Sequence, residues 1–183
     1  MTRFFDVVLS FFGLLFLSPF LILLFLVGLF DTGSPVFRQE RVGRFERPFI
    51  LVKFRTMQKD TLFVASHLSH SSKITKFGSF LRKTKLDELP QLWNVLKGDM
   101  SLVGPRPGLL NQKELRRARK VRGVFNARPG ITGLAQVSGI DMSTPELLAE
   151  IDAEMLKRIT LFDYFKYIIM TVTGSGQGDA VKR

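Results

Sequence analysis

The sequence predicts a mainly α-helical fold with one short β-hairpin, carried behind an apolar N-terminal membrane segment. Three observations predict it. Residues 7–30 form a run of 24 without a charge. Two short β-branched and aromatic stretches, 36–42 and 49–54, flank a turn containing Gly43 and Pro48. Much of the remainder places apolar residues at helical spacing between Gly and Pro punctuation.

The apolar run is long enough to cross a membrane, since 24 residues at about 1.5 Å each exceed a hydrocarbon core of about 30 Å. It fits a signal peptide poorly, being too long for an h-region and lacking a small-x-small cleavage site. Ser18-Pro19 lies at its centre. Pro19 lacks an N–H and crowds the Leu15 carbonyl, so a bend is expected there, with Ser18 able to supply a partner. Each half alone is too short to span. A kinked spanning helix and a re-entrant hairpin both follow from composition. Arg38, Arg41, Arg44 and Arg47 beyond the run make that side cytoplasmic in either case. Asp6 is costly in lipid unless paired, and Arg3 is its nearest partner.

The rest reads as one domain. Residues 60–75 are polar and suggest a loop or short helix. Leu86, Leu89, Leu92, Trp93 and Leu96 share a helical face that Gly98 ends, and 104–108 form a rigid Gly-Pro-Arg-Pro-Gly loop. Residues 113–122 make a basic helix, closed by Arg128-Pro129-Gly130. Thr144 caps a helix with Pro145 at its first position and Leu148, Ile151 and Met155 on one face. Residues 159–173 are apolar and aromatic, suiting either a membrane-interface element or a core helix. The expected division is 1–32 membrane segment, 33–173 domain and 174–183 flexible tail.

Composition narrows the chemistry. The chain has 183 residues, 45% hydrophobic, with net charge +11, so it is too apolar for a disordered tail protein and basic enough to meet polyanions or an anionic membrane. It has no cysteine, which excludes disulfides, cysteine–zinc ligation and a cysteine nucleophile. His67 and His70 alone argue against a multi-histidine metal site. The chemistry centres on Asp87-Glu88. Pro90 is tolerated only in a first helical turn, which predicts a helix starting near Leu86 with Asp87 at its cap or first position. The helix dipole there favours a carboxylate or a bound phosphate. Arg82, Lys83 and Lys85 keep such a carboxylate ionised, able to act as nucleophile or, with Glu88, to hold Mg²⁺. Arg55, Arg82, Arg106 and Arg128 sit beside turn or loop residues, and arginine grips phosphate oxygens bidentately. The residues point to phosphate-ester chemistry at a membrane.

Several strings then resemble a known family. Lys53-Phe54-Arg55-Thr56-Met57, the run from Leu86 to Leu92 with Asn94 to Ser101, and Val103-Gly104-Pro105-Arg106-Pro107 are similar to the bacterial sugar transferases, the monotopic phosphoglycosyl transferases of the PglC type. Gln39-Glu40-Arg41-Val42-Gly43 and Arg128-Pro129-Gly130-Ile131-Thr132-Gly133, leading to Gln136, extend the resemblance over nearly the whole chain. It implies transfer of a phospho-sugar from a UDP-sugar to polyprenol (undecaprenyl) phosphate at the cytoplasmic face of the bacterial inner membrane, with release of UMP. Asp87 takes the position of the family's nucleophile and Glu88 that of its Mg²⁺-assisting partner, with an aspartyl phospho-sugar intermediate and ping-pong kinetics. Arg55, Arg82, Arg106 and Arg128 would line the phosphate site, with Asp152 and Gln136 as further site residues. Relatives often carry tyrosines after that aspartate, where Glu154 and Met155 stand here. Ser18-Pro19 matches the family's re-entrant helix-break-helix, which favours the hairpin over the span. The resemblance also implies the minimal catalytic form, with amphipathic helices at the interface and anionic lipids as partners. Nucleic acid is not expected. The sugar, the pathway and any homo-oligomer stay open. The competing class is a membrane-tethered nucleic-acid-binding or adaptor protein. Its support is the net charge and the cluster Lys113, Arg116, Arg117, Arg119, Lys120 and Arg122, which contains few aromatics.

Overall fold

A computed structural model describes residues 2–59 and 73–174. The expected loop or short helix at 60–75 lies mostly outside the described residues, and so does the tail from residue 175 onward. The described chain is mainly helical. A long apolar helix α1 (Thr2–Thr32) precedes a hairpin of β1 (Val36–Val42) and β2 (Pro48–Phe54). Helices α2 (Lys76–Thr84) and α3 (Gln91–Lys97) follow, then strand β3 (Ser101–Val103) and the basic helix α4 (Lys113–Val121). Strand β4 (Gly130–Thr132), the single turn α5 (Leu134–Val137), α6 (Pro145–Arg158) and α7 (Leu161–Val172) complete it.

The hairpin forms where alternation predicts it. It is antiparallel, with Gln39 opposite Leu51 and Phe37 opposite Lys53. Strict alternation turns Phe37, Gln39, Arg41, Phe49, Leu51 and Lys53 to one face. Asn94, fully buried on α3, then covers the outer edge of β2. Its amide donates to the Ile50 carbonyl at 2.7 Å and its oxygen accepts from the Val52 N–H at 3.0 Å. One side chain thus replaces a strand along that edge. A second, parallel pair joins β3 to β4, with Ser101 opposite Gly130. Around these pairs the main core gathers Leu51, Val95, Met100, Leu102, Met155, Tyr164 and Tyr167.

Helix α1 is a single element with Pro19 inside it, where a break into two halves was expected. The Ser18 hydroxyl donates to the Leu15 carbonyl at 2.8 Å, the acceptor that Pro19 cannot use. Its first turn is fastened to the domain by polar bonds. Asp6, 2% exposed, accepts from Ser101 Oγ at 2.9 Å, the Leu102 N–H at 2.8 Å and the Tyr164 hydroxyl at 2.8 Å. Arg3 lies 3.9 Å from the same carboxylate and donates to the carbonyls of Val95 at 2.7 Å and Leu96 at 3.1 Å, at the end of α3. Burial, and then the negative charge of Asp6, push the Tyr164 hydroxyl far above its ordinary range, so it stays a donor. The far end of α1 docks as well. Leu24 packs with Phe54 and Leu81, Gly28 sits against Pro35 and Phe77, and Asp31 accepts from Thr75 Oγ1 at 2.7 Å. Between the two ends, Leu15, Phe16 and Phe20 are exposed.

Helix α6 begins with Pro145 at its first position, as predicted, although the Thr144 hydroxyl makes no capping bond. Helix α7 forms over the apolar segment 159–173 and packs on the core by one face. Tyr164 and Tyr167 enter the core while Leu161, Phe162, Ile169 and Val172 stay exposed. Thr160 and Asp163 close its start with a reciprocal capping box that the sequence reading did not identify.

The Asp6 cluster yields a direct prediction. Asp6→Ala strands three buried donors and should destabilise the protein by about 3 kcal/mol, whereas Tyr164→Phe should cost about 1 kcal/mol. Denaturant unfolding in detergent measures both. Equal costs would remove Asp6 as the organising acceptor.

Candidate active site

The acidic pair does not cap a helix. Residues Leu86–Glu88 form a 3-10 turn between α2 and α3, entered through Lys85 in the left-handed region at φ 57°. The α-helix starts at Gln91 with Pro90 as its N-cap. Pro90 is accommodated because the turn ahead of it leaves its nitrogen without an acceptor to fill. The helix expected to start near Leu86 thus begins there as a 3-10 turn carrying both carboxylates, and the α-helix itself starts only at Gln91. Both carboxylates are buried all the same, Asp87 at 2% and Glu88 at 7% exposure.

Glu88 has a strong partner. Arg106 NH2 donates to Glu88 Oε1 at 2.6 Å, an ion pair with both side chains mostly withdrawn from water. Lys85 stands nearby and reaches the Thr171 carbonyl at 3.4 Å. Burial pulls its ammonium below the ordinary lysine range and Arg106 adds to that, while Glu88 opposes it. Arg82, at the end of α2, donates Nε to Thr56 Oγ1 at 2.9 Å.

Arg106 is aimed by its backbone. The loop 104–108 has no regular structure, yet every one of its carbonyls is held by a different donor. Gly104 O accepts from Gln136 Nε2 at 3.2 Å and Pro105 O from the Gly130 N–H at 2.9 Å. Arg106 O accepts from Arg119 at 2.8 Å, Pro107 O from Arg41 at 3.0 Å and Gly108 O from the Val42 N–H at 3.0 Å. Gly104 and Gly130 are glycine because their backbones touch. A Cβ on Gly130 would lie 2.0 Å from the Gly104 nitrogen. This contact joins the two proline-framed arginine loops.

The other predicted residues divide. Arg128 donates Nε to the Gly98 carbonyl at 2.8 Å, with Arg3 and Arg44 as charged neighbours, and makes no contact with Glu88. Arg55 donates to the Ser34 carbonyl at 2.8 Å and lies over the Phe37 ring. Gln136 supports the loop rather than facing the acidic pair. Asp152 is fully buried between α4 and α6, where Arg119 pairs with it at 2.6 Å. Burial raises its carboxyl above the ordinary range despite that arginine. Three residues that the sequence reading did not assign to the site line a small cleft with Arg106, namely Arg41, Lys53 and Gln91. Alternation in β1 and β2 carried the signal for Arg41 and Lys53, since both fall on the face shared with Leu51.

Beside Glu88 lies a cavity of about 380 Å³. Leu86, Leu89, Leu92, Leu102, Ile131, Ile168 and Val172 give it mainly apolar walls, with Lys85, Thr132 and Thr171 among its polar groups. Among the described residues no cluster of three His, Cys, Asp or Glu side chains forms. Asp87 and Glu88 are two adjacent carboxylates, hard oxygen donors of the kind that share Mg²⁺ with substrate phosphates. They fit that ion, provided that substrate and water complete its shell.

A family model described as bacterial sugar transferase matches residues 1–177. "Uncharacterized sugar transferase EpsL" of Bacillus subtilis (strain 168) is 39% identical over 93% of this chain and 84% of its own length. The "UDP-galactose-lipid carrier transferase" of Erwinia amylovora is 37% identical over 93% of this chain but 39% of its own length. The "UDP-glucose:undecaprenyl-phosphate glucose-1-phosphate transferase" of Escherichia coli (strain K12) is 37% identical over 91% of this chain and 38% of that protein. The chain thus spans well under half of the last two.

Removing the cation from Glu88 should be costly. Arg106→Ala leaves a buried carboxylate unpaired and should destabilise by about 2–3 kcal/mol. Adding Glu88→Gln should return at least half of that in a double-mutant cycle followed by thermal unfolding. Simple additivity would show that the pair is uncoupled.

Proposed function

The chain belongs to the bacterial sugar transferase family, and from that premise we propose that it moves a sugar 1-phosphate from a UDP-sugar to polyprenol (undecaprenyl) phosphate, releasing UMP. The observation that carries this reading is the buried Asp87-Glu88 pair, of which Glu88 is held by Arg106 and lines an apolar cavity. An anionic diphosphate needs the cations, and a polyprenol chain needs the apolar walls.

Asp87 is the nucleophile in this reading. Its carboxylate oxygen forms a bond to the phosphorus that bears the sugar. The bond from that phosphorus to the bridging oxygen breaks, and UMP leaves with that oxygen. An oxygen of polyprenol phosphate then attacks the same phosphorus, and the bond to Asp87 breaks to return its carboxylate. One difficult transfer becomes two easier ones. Arg106, with Lys85 beside it and Arg82 from the end of α2, offsets the charge of the transferring group in this reading. Arg55 and Arg128 would line the phosphate site in this reading, each anchored through its Nε to a backbone carbonyl. Asp87 and Glu88 would hold Mg²⁺, which when bound neutralises phosphate charge.

The same reading makes residues 1–32 a re-entrant membrane hairpin, 33–173 the catalytic domain on the cytoplasmic face of the inner membrane, and 174–183 a tail. Polar bonds from both ends of α1 to one domain support it. A straight span of this helix, about 46 Å long, would carry one end to the far side of the bilayer. The exposed apolar face of α7 suits the interface, and the surplus basic residues suit anionic headgroups.

Two experiments test the reading. Detergent-purified protein with a panel of UDP-sugars, undecaprenyl phosphate and Mg²⁺ should release UMP with at least one sugar. Asp87→Asn or chelation by EDTA should abolish release, and full activity in Asp87→Asn would remove the nucleophile. For topology, Thr2→Cys creates a unique thiol in a cysteine-free chain. A membrane-impermeant maleimide should label it only after spheroplasts are permeabilised. Labelling of intact spheroplasts would establish a span.

A further inference from the structure

The ion pair between Arg119 and Asp152 poses a problem. Both side chains are almost wholly buried, at 3% and 0% exposure. Arg119 gives two of its donors to one carboxylate oxygen, Nε at 3.0 Å and NH2 at 2.6 Å. The other oxygen, Asp152 Oδ1, has no partner. A buried pair with an unsatisfied oxygen contributes little to stability, because desolvation of two charges offsets their attraction. Helices α4 and α6 already meet in one buried cluster through Leu115 and Leu148, and Ala118 and Ala149 on the same helices are buried too. Packing alone does not call for two charges here.

The third arm of Arg119 shows what the pair does. NH1 donates to the Arg106 carbonyl at 2.8 Å, and the Arg106 side chain holds Glu88 at 2.6 Å. The planar guanidinium fixes its arms relative to each other, so Asp152 sets the direction in which NH1 points. The other four loop carbonyls have donors of their own. Two are held by strand N–H groups, one by a glutamine and one by Arg41, which also donates to Gln39.

We propose that Arg119 and Asp152 are positioning residues, which hold the Arg106 backbone so that its guanidinium meets Glu88 and the transferring phosphate. The proposal rests on the transferase reading above. It assigns Asp152 a place behind the site, not a contact with the sugar, and it recruits Arg119 from a basic helix that otherwise reads as a solvated face. A displacement of about 1 Å at such a site can cost on the order of a hundredfold in rate.

The decisive variant replaces the pair by apolar residues of similar size, Arg119→Met with Asp152→Leu. A buried ion pair exchanged in this way usually leaves stability equal or higher. The expected result is an unchanged or raised thermal midpoint together with a kcat for UMP release lowered about 10- to 100-fold. In an Arg106→Ala background the same exchange should lower kcat by less than about twofold, because its target is gone. Wild-type kcat in the exchanged protein, or a full additional loss in Arg106→Ala, overturns the proposal while leaving the transferase reading intact. Absence of UMP release by the wild-type protein overturns the transferase reading and this proposal with it. Should the exchanged protein fail to fold, Arg119→Lys is measured instead. It keeps a cation against Asp152 but loses the fork, so kcat should fall at a near-native thermal midpoint, and wild-type kcat would again overturn the proposal.

Discussion

A Gly-Pro-Arg-Pro-Gly loop can make little structure of its own, since its two prolines carry no N–H and its glycines favour no single conformation. Here that loop, residues 104–108, is fixed from outside by its carbonyls. Donors from β1, β4, α4 and α5 converge on it, and its Gly104 N–H donates to the Thr132 carbonyl at 2.8 Å. Elements distant in sequence must therefore all be in place before Arg106 can meet Glu88. The constraint accounts for the close glycine contact, for Arg41 beneath the hairpin and for the buried charge between α4 and α6. It also gives the site a rigid cation next to a rigid carboxylate, which is what charge stabilisation without reorganisation requires.

The opposite side of the parallel pair β3–β4 is held by the apolar helix α1. Asp6 bonds Ser101 and the Leu102 N–H, and Leu102 lines the cavity beside Glu88. The first turn of α1 and the site thus share one strand. In this arrangement an apolar helix and an arginine-bearing loop are two layers of a single structure, and under the proposed function a phosphate presented at a bilayer surface would meet both. The paradox of an apolar chain with net charge +11 resolves into these layers.

Local signals in the sequence were strong for the hairpin, for α4 and for α6, because alternation, charge runs and Thr-Pro starts are set by neighbouring residues. They failed where distant residues decide. Pro90 marks a turn without an N–H to satisfy, but it does not say whether an α-helix or a 3-10 turn precedes it. Arginines are alike in sequence, and only tertiary structure gives Arg106 a carboxylate while giving Arg55 and Arg128 backbone carbonyls. Arg119 sits in a run of cations that looks fully solvated, yet its partner lies 33 residues away. The Asp6–Tyr164 bond joins residues 158 apart, beyond any periodicity. The acidic pair itself was legible because adjacent carboxylates stand out beside a proline.

The most direct measurement is intact-protein mass spectrometry after brief exposure to a UDP-sugar and Mg²⁺ without polyprenol phosphate. Covalent transfer predicts a mass increase equal to one sugar phosphate, located on the peptide containing Asp87, with one UMP released per adduct. A protein that stays unmodified, and that releases UMP only when polyprenol phosphate is present, would contradict the account.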